Sequence, residues 1–201
     1  MDKKQQTIDT YNKSAKAMAS KFNSLGGRVE DVERLFGFLN KENPFIFEIG
    51  CGNGRDAKEI VKHTNNYLGV DISEEFIKAA SEYVPEAKFE VVDIEDYQFP
   101  KGIDAITSFA SLLHSNKESV TDILLRAHRS LDDEGIFYIS LKKDEYPEDG
   151  FTRTDEFGTR TYFFYTPELI QELAGDNYES IYTSEQSLRG QEWFTIVLKK
   201  K

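Results

Sequence analysis

The sequence predicts an α/β protein in which a mostly parallel sheet of seven strands carries helices on both faces and ends in an antiparallel hairpin strand. Three observations predict it. Short apolar runs alternate with helical spacing between residues 45 and 141. Those runs are apolar almost throughout rather than at every second position, as in strands buried on both faces. Two adjacent strand-like runs then follow the last helical pattern. At 201 residues, with 39% hydrophobic and 30% charged side chains, the chain suits one globular domain with a core of ordinary size.

In chain order, Ile8, Tyr11, Ala15, Met18 and Phe22 keep the spacing of a helical apolar stripe. Val29, Val32, Phe36 and Leu39 repeat it after a break at Gly26–Gly27. Residues 1–42 are therefore expected to form a helical cover. The run FIFEIG (45–50) reads as the first strand and ends in a glycine cluster, and DAKEIVKH after it reads as helix. YLGVDI (67–72) is the second strand, followed by SEEFIKAASEY with Ser73 as N-cap. KFEVVDI (88–94) and IDAITSFAS (103–111) are the third and fourth. Val120, Ile123, Leu124, Ala127 and Leu131 restore helical spacing before the fifth strand, GIFYISL (135–141), which completes a core over 43–141. Residues 142–165 lack an extended apolar pattern and are expected to form a polar lid. TPELIQELAG then starts a helix with Thr166 as cap and Pro167 at its first position. YESIYTSEQS and EWFTIVLKK close the chain, 166–201, as a helix and hairpin.

A net charge of −11 disfavours a nucleic-acid partner, which requires a basic footprint. No run approaches the roughly 18 apolar residues of a membrane span, and the lysine-bearing N-terminus has no apolar segment behind it. The expectation is a cytoplasmic monomer or homodimer. Cys51 is the single cysteine, so an internal disulfide and a multi-cysteine metal site are excluded, and no metal is expected. Its place in the glycine cluster leaves two readings, a reactive thiol or a small side chain filling a turn.

Ligands of open parallel sheets bind beyond the carboxyl ends of the strands. Gly50, Gly52 and Gly54 follow the first strand, Asp71 ends the second, Asp93 the third, and Ser108 to Ser111 the fourth. A dinucleotide fingerprint, G-x-G-x-x-G, is broken because Arg55 stands where the third glycine belongs. No G-K-[ST] follows, so a P-loop is absent. Asp71 nevertheless lies about twenty residues past the glycines, where a carboxylate accepts hydrogen bonds from a ribose diol. Ribose recognition without a pyrophosphate site points to a nucleoside cofactor.

FEIGCGNGRDA (47–57), LGVDIS, VVDIED, SFASLLH and ILLRAHRSLDDEGIFYIS occur in this order. Together they resemble the motifs of class I S-adenosylmethionine (SAM)-dependent methyltransferases over nearly the whole chain. The resemblance implies a Rossmann-like fold, SAM as cofactor and S-adenosylhomocysteine (SAH) as product. It places Glu48, Gly50, Cys51, Gly52, Gly54 and Arg55 around the amino-acid portion of the cofactor, with Glu48 favouring the ammonium group. It also places Asp71 and Ile72 at the ribose, Asp93 and Ile94 at the adenine, and Phe109 in the fourth-strand motif. Tyr11 lies on a helix that covers the site in similar enzymes; it either touches the cofactor or belongs to the helix's apolar stripe.

On the acceptor side His114 is the candidate acid/base, with packing at a helix start as the alternative. Arg153, Arg160, Tyr162 and Tyr165 of the lid, with Arg189 and Trp193 of the hairpin, are candidate acceptor contacts. The arginines suit an anionic acceptor, although solvated charges balancing Asp149, Asp155 and Glu156 give the same pattern. GRDA, ASLLH, FYIS, DEFGTRTYFFY and EWFTIVLKK more loosely resemble a bacterial group related to tellurite-resistance methyltransferases, whose acceptors are small. Methyl transfer to a small molecule is thus the expectation. Transfer to a modified RNA base or a protein, and SAM binding without turnover, are the alternatives.

Overall fold

The computed structural model describes residues 2–201. Helices α1 (Lys3–Ser24) and α2 (Val29–Gly37) precede β1 (Ile46–Ile49), α3 (Ala57–Ile60), β2 (Tyr67–Asp71), α4 (Glu74–Tyr83) and β3 (Lys88–Val91). Then come β4 (Ile103–Phe109), a 3-10 turn at Leu112–His114, α5 (Lys117–His128) and β5 (Leu131–Lys142). A hairpin of β6 (Phe151–Asp155) and β7 (Gly158–Tyr162) leads to α6 (Pro167–Ala174), β8 (Tyr178–Leu188) and β9 (Gln191–Lys200).

Seven strands form one sheet in the order β3-β2-β1-β4-β5-β9-β8. The first five strands run parallel, and β9 enters antiparallel to both β5 and β8. This is the seven-stranded mixed sheet the sequence predicts. All four residues of β1 are buried, as its central position demands. Phe47 and Ile49 face a cluster with Ile106, Phe137, Ile139, Leu124 and Ile170, which packs α5 and α6 onto one side. Ile46 joins Val32, Leu35, Ile60, Ala105 and Tyr138 on the other, under α2 and α3.

The caps read from sequence are formed. Ser73 accepts from the Phe76 amide and Thr166 from the Leu169 amide. The first four strands are shorter than their apolar runs, β3 and β4 by two residues or more. β3 stops at Val91 because its only neighbour, β2, ends opposite it at Asp71. β4 stops at Phe109 because Ala110 takes a left-handed backbone, φ 57°, that no strand can continue.

The 142–165 segment departs most from expectation. The segment, expected to be too polar for core, forms the β6–β7 hairpin, and Arg160, Thr161, Tyr162 and Tyr165 are buried. Its partner is α1. Thr10 and Ser14 donate from their hydroxyls to the carbonyls of Thr159 and Phe157 at 2.7 and 2.6 Å, and the Thr161 amide donates to Thr7 Oγ1. A polar stripe of Thr7, Thr10 and Ser14 therefore docks the cover onto the hairpin. An apolar search cannot see such a stripe.

Candidate active site

The glycine loop leaves β1 under tight constraint. The amides of Gly50 and Cys51 both donate to the Val70 carbonyl, at 2.8 and 3.0 Å. Gly50 has φ +69°, and a Cβ there would lie 2.0 Å from Ser111 Oγ. The loop is thus pressed against the chain leaving β4. Gly52 is the opposite case: φ is +55°, yet a Cβ would meet nothing within 4 Å. Its open side is where backbone can approach a ligand.

Asp71 ties this loop to the end of β2. Its Oδ2 accepts from the Gly52 amide at 2.9 Å and its Oδ1 from the Ser73 amide at 2.9 Å. Burial raises its carboxyl above the usual range, and the amides of Ser73, Gly52 and Ile72 oppose that shift. A carboxylate has about four lone-pair sites, so these amides leave it accepting capacity, and the residue is only partly buried, so a ribose diol can be accepted. The open side of Gly52 beside this half-buried carboxylate fits the nucleoside and amino-acid portions of SAM. Ile72 is half-buried next to it.

α1 crosses above these strand ends. Asn12 accepts from the Ser73 hydroxyl at 2.7 Å, and Asn53 of the loop donates to Asn23 at 2.7 Å. Lys4 reaches Asp93 at 2.6 Å and Glu95 at 2.7 Å, so the Asp93 carboxylate expected at adenine carries a lysine partner that the sequence did not reveal. Ile94 is half-buried against the core beside it.

Tyr11 and His114 meet between the cover and the sheet. His114 Nδ1 lies 2.7 Å from the Thr161 carbonyl, which can only accept, so Nδ1 carries the proton. Burial pushes the imidazole down to about 4, with Arg160 and Lys142 adding and the Thr161 contact opposing. The ring is therefore neutral, its Nε2 holds a lone pair, and the Tyr11 hydroxyl donates to it at 2.6 Å. Burial raises the Tyr11 phenol above its ordinary value, so it stays protonated. A cavity of about 190 Å³ adjoins this pair, lined by Lys4, Thr7, His114, Asn116, Thr161 and Phe163 among others.

Cations gather on the far side of Tyr162. Its ring lies 4.9 Å from the His114 ring, 5.3 Å from Lys142 Nζ and 5.6 Å from the Arg160 guanidinium. Arg160 also stands 5.6 Å from the Tyr11 ring and pairs with Asp155. Trp193 is flanked by Arg28 at 5.3 Å and Lys142 at 5.9 Å. Burial lowers the Lys142 ammonium, and Arg153 and Arg160 add to that. Neither Lys142 nor Arg28 was singled out from sequence. Lys142 ends β5, so the strand-end rule applied to Gly50, Asp71 and Asp93 reaches it as well.

Several expected contacts take other roles. Glu48 is 1% exposed, accepts from the Tyr67 hydroxyl, and is pushed up to about 8 by burial and the Asp56 charge; at neutral pH it is mostly uncharged and gives an ammonium little attraction. Arg55 is spent on Asp56, with contacts of 3.0 and 2.7 Å. Cys51 is buried, and its thiol is pushed well up by burial and by Asp71 and Glu48, so a reactive thiolate is excluded. Phe109 packs against Tyr138 beneath Arg28. Tyr165 is fully buried and donates to the Ser115 carbonyl at 2.6 Å, a core residue rather than a pocket wall. Gly54 faces Ala80 and Val84 of the α4 segment, which makes it a packing glycine. Arg189 sits exposed at the β8–β9 turn, and among the described residues no hydrogen bond or ion pair ties it to the cluster. Arg153 is exposed on β6 opposite Arg160.

Residues 46–135 match a family model described as a methyltransferase domain. A curated relative, the putative methyltransferase 235L of Invertebrate iridescent virus 6, is 29% identical over 112 residues; the alignment takes in 53% of this chain but 39% of the viral protein. Among solved structures, the magnesium protoporphyrin IX methyltransferase of Synechocystis PCC 6803, crystallised with SAM, superposes with a TM-score of 0.77 at 16% identity, covering 100% of this chain and 98% of that one. A TehB-like SAM-dependent methyltransferase from Corynebacterium glutamicum superposes at 0.71 and 21% identity, covering 93% and 98%. The matched segment spans both the glycine loop and Asp71, so residues 46–135 are similar to a methyltransferase domain, and the chain shares the fold of these solved methyltransferases.

Proposed function

We propose that this protein transfers a methyl group from SAM to a small, anionic acceptor held between the Tyr11–His114 pair and the cations around Tyr162. The observation that carries the reading is the hydrogen bond from Gly52 to Asp71, which joins a loop with an open face to a carboxylate with spare lone pairs. When bound, SAM supplies an activated methyl on a sulfonium centre. Asp71 would hold the ribose, and the backbone from Gly50 to Gly52 would follow the amino-acid portion.

The remaining work falls to positioning. Buried Tyr162 and half-buried Tyr11 and Trp193 keep water from the acceptor, and alignment of donor and acceptor supplies much of such a rate. His114 Nε2 holds the lone pair of the neutral ring, and it can take a proton once the Tyr11 hydroxyl turns away. A small acceptor agrees with the cover: α1 and the hairpin close over the strand ends with side-chain contacts along the helix. The overall charge of −11 disfavours RNA.

The test is incubation with methyl-labelled SAM and fractionated cell extract. Label is expected in a low-mass product retained on an anion exchanger, and Asp71→Ala is expected to weaken SAH binding by calorimetry at least about tenfold. Label in RNA or protein would overturn the acceptor class; unchanged SAH affinity in the variant would overturn the ribose assignment.

A further inference from the structure

We propose that Lys142, with Arg160 and Arg153, forms the seat for the acceptor's oxyanion and selects for it. The proposal rests on the reading above and adds the residues and the chemistry of the group they hold, a carboxylate or a phosphate ester on a small organic body.

Charge balance points to a missing anion. Three cations, Lys142, Arg153 and Arg160, gather here with one carboxylate, Asp155, which is paired to Arg160. Among the described residues no carboxylate lies within ion-pair distance of Lys142 or Arg153, although the chain as a whole is strongly acidic. An unpaired ammonium drawn halfway out of water beside two guanidiniums is unfavourable, and a bound oxyanion reverses that. Arg160 shows the same deficit. It is 8% exposed, and its Nε is buried without an acceptor. Buried donors are ordinarily paired, so this N–H is available to a ligand oxygen.

The surroundings favour an organic anion over a hydrated ion. Lys142 stands directly opposite Trp193 in the antiparallel β5–β9 pair, so both side chains leave the sheet on one face. The Tyr162 ring fills the other side, and Tyr11 lies against Arg160. These aromatic walls lower the local dielectric, which strengthens cation–oxyanion attraction, and they offer flat apolar surface to the rest of the ligand. Tyr162 also touches His114, so an acceptor anchored at Lys142 would lie next to the only imidazole of the site.

The chain has one tryptophan, Trp193, and Lys142 lies over its ring, so the seat carries its own fluorescent reporter. With SAH present, protein is titrated with benzoate, phenyl phosphate and, as the neutral isostere, benzamide. A saturable change in Trp193 emission is expected with benzoate or phenyl phosphate and not with benzamide, and the tighter of the two anions identifies the source. Lys142→Met should weaken the anion at least tenfold, with Lys142→Arg restoring most of the affinity. Arg153→Met, at an exposed site, should weaken it several-fold. Equal responses to benzamide and benzoate, or unchanged anion affinity in Lys142→Met and Arg153→Met, would overturn the seat. SAH affinity by calorimetry is followed in parallel: its absence in the parent protein would count against the methyltransferase reading, whereas normal SAH binding without anion binding would count against the seat alone.

Discussion

Glu48 lies under the glycine loop with almost no solvent exposure, bonded to the Tyr67 hydroxyl and facing the charge of Asp56. Read from the sequence as a charge for the cofactor's ammonium, it is instead a buried acid raised to about 8. A carboxyl raised in the folded state binds a proton that the unfolded chain has released. Its contribution is therefore complete below the unfolded value near 4.5 and is lost as pH rises through about 8. Parent protein should accordingly lose stability relative to Glu48→Gln between about pH 5 and pH 9 in urea titrations. A pH-independent gap between the two would show that the carboxyl titrates normally. His114 has the opposite disposition: its proton sits on Nδ1 because a carbonyl lies there, and that carbonyl belongs to Thr161, 47 residues away. No local pattern in ASLLH discloses such a partner.

At the scale of elements, the glycine loop separates two demands that one motif conceals. Gly50→Ala adds a left-handed backbone penalty and a clash with Ser111, a cost of about 2–4 kcal/mol in unfolding free energy. Gly52→Ala carries the backbone penalty alone, roughly 1 kcal/mol, because its Cβ enters open space. If that space receives the cofactor, Gly52→Ala should weaken SAH binding at least about tenfold by calorimetry while costing less stability than Gly50→Ala. SAH affinity equal to the parent's would place the cofactor elsewhere. The cover was legible as a helix from Tyr11, Ala15, Met18 and Phe22, but its docking was not. Thr7, Thr10 and Ser14 make that interface with hydrogen bonds, and their partners lie on a hairpin whose own sequence lacks an extended apolar pattern.

For the whole molecule, the matched family segment, 46–135, ends within β5 and excludes the strand that completes the sheet. β9 covers the outer edge of β5 and buries Phe194 and Ile196 on one face and Val197 on the other, with Leu198 beside them. Four such side chains contribute roughly 6–12 kcal/mol, similar to the total stability of a domain, about 5–15 kcal/mol. A chain ending at Asn177 should therefore show no cooperative unfolding transition by circular dichroism; a sharp transition would show that the core closes without β9.

Sequence alone determined the strand–helix alternation, the mixed seven-stranded sheet and the strand ends at Gly50 and Asp71, because apolar periodicity and glycine placement are local consequences of backbone geometry. Tertiary structure alone decided which side chains share the site. It left Arg189 in solvent and put Tyr165 in the core. It brought in Lys4, Arg28 and Lys142, residues whose significance comes from partners distant in the chain. A lysine at the end of a strand reads the same in any sequence. Its charge acquires meaning only when burial removes water and the fold sets Arg160 and Arg153 beside it without a second carboxylate.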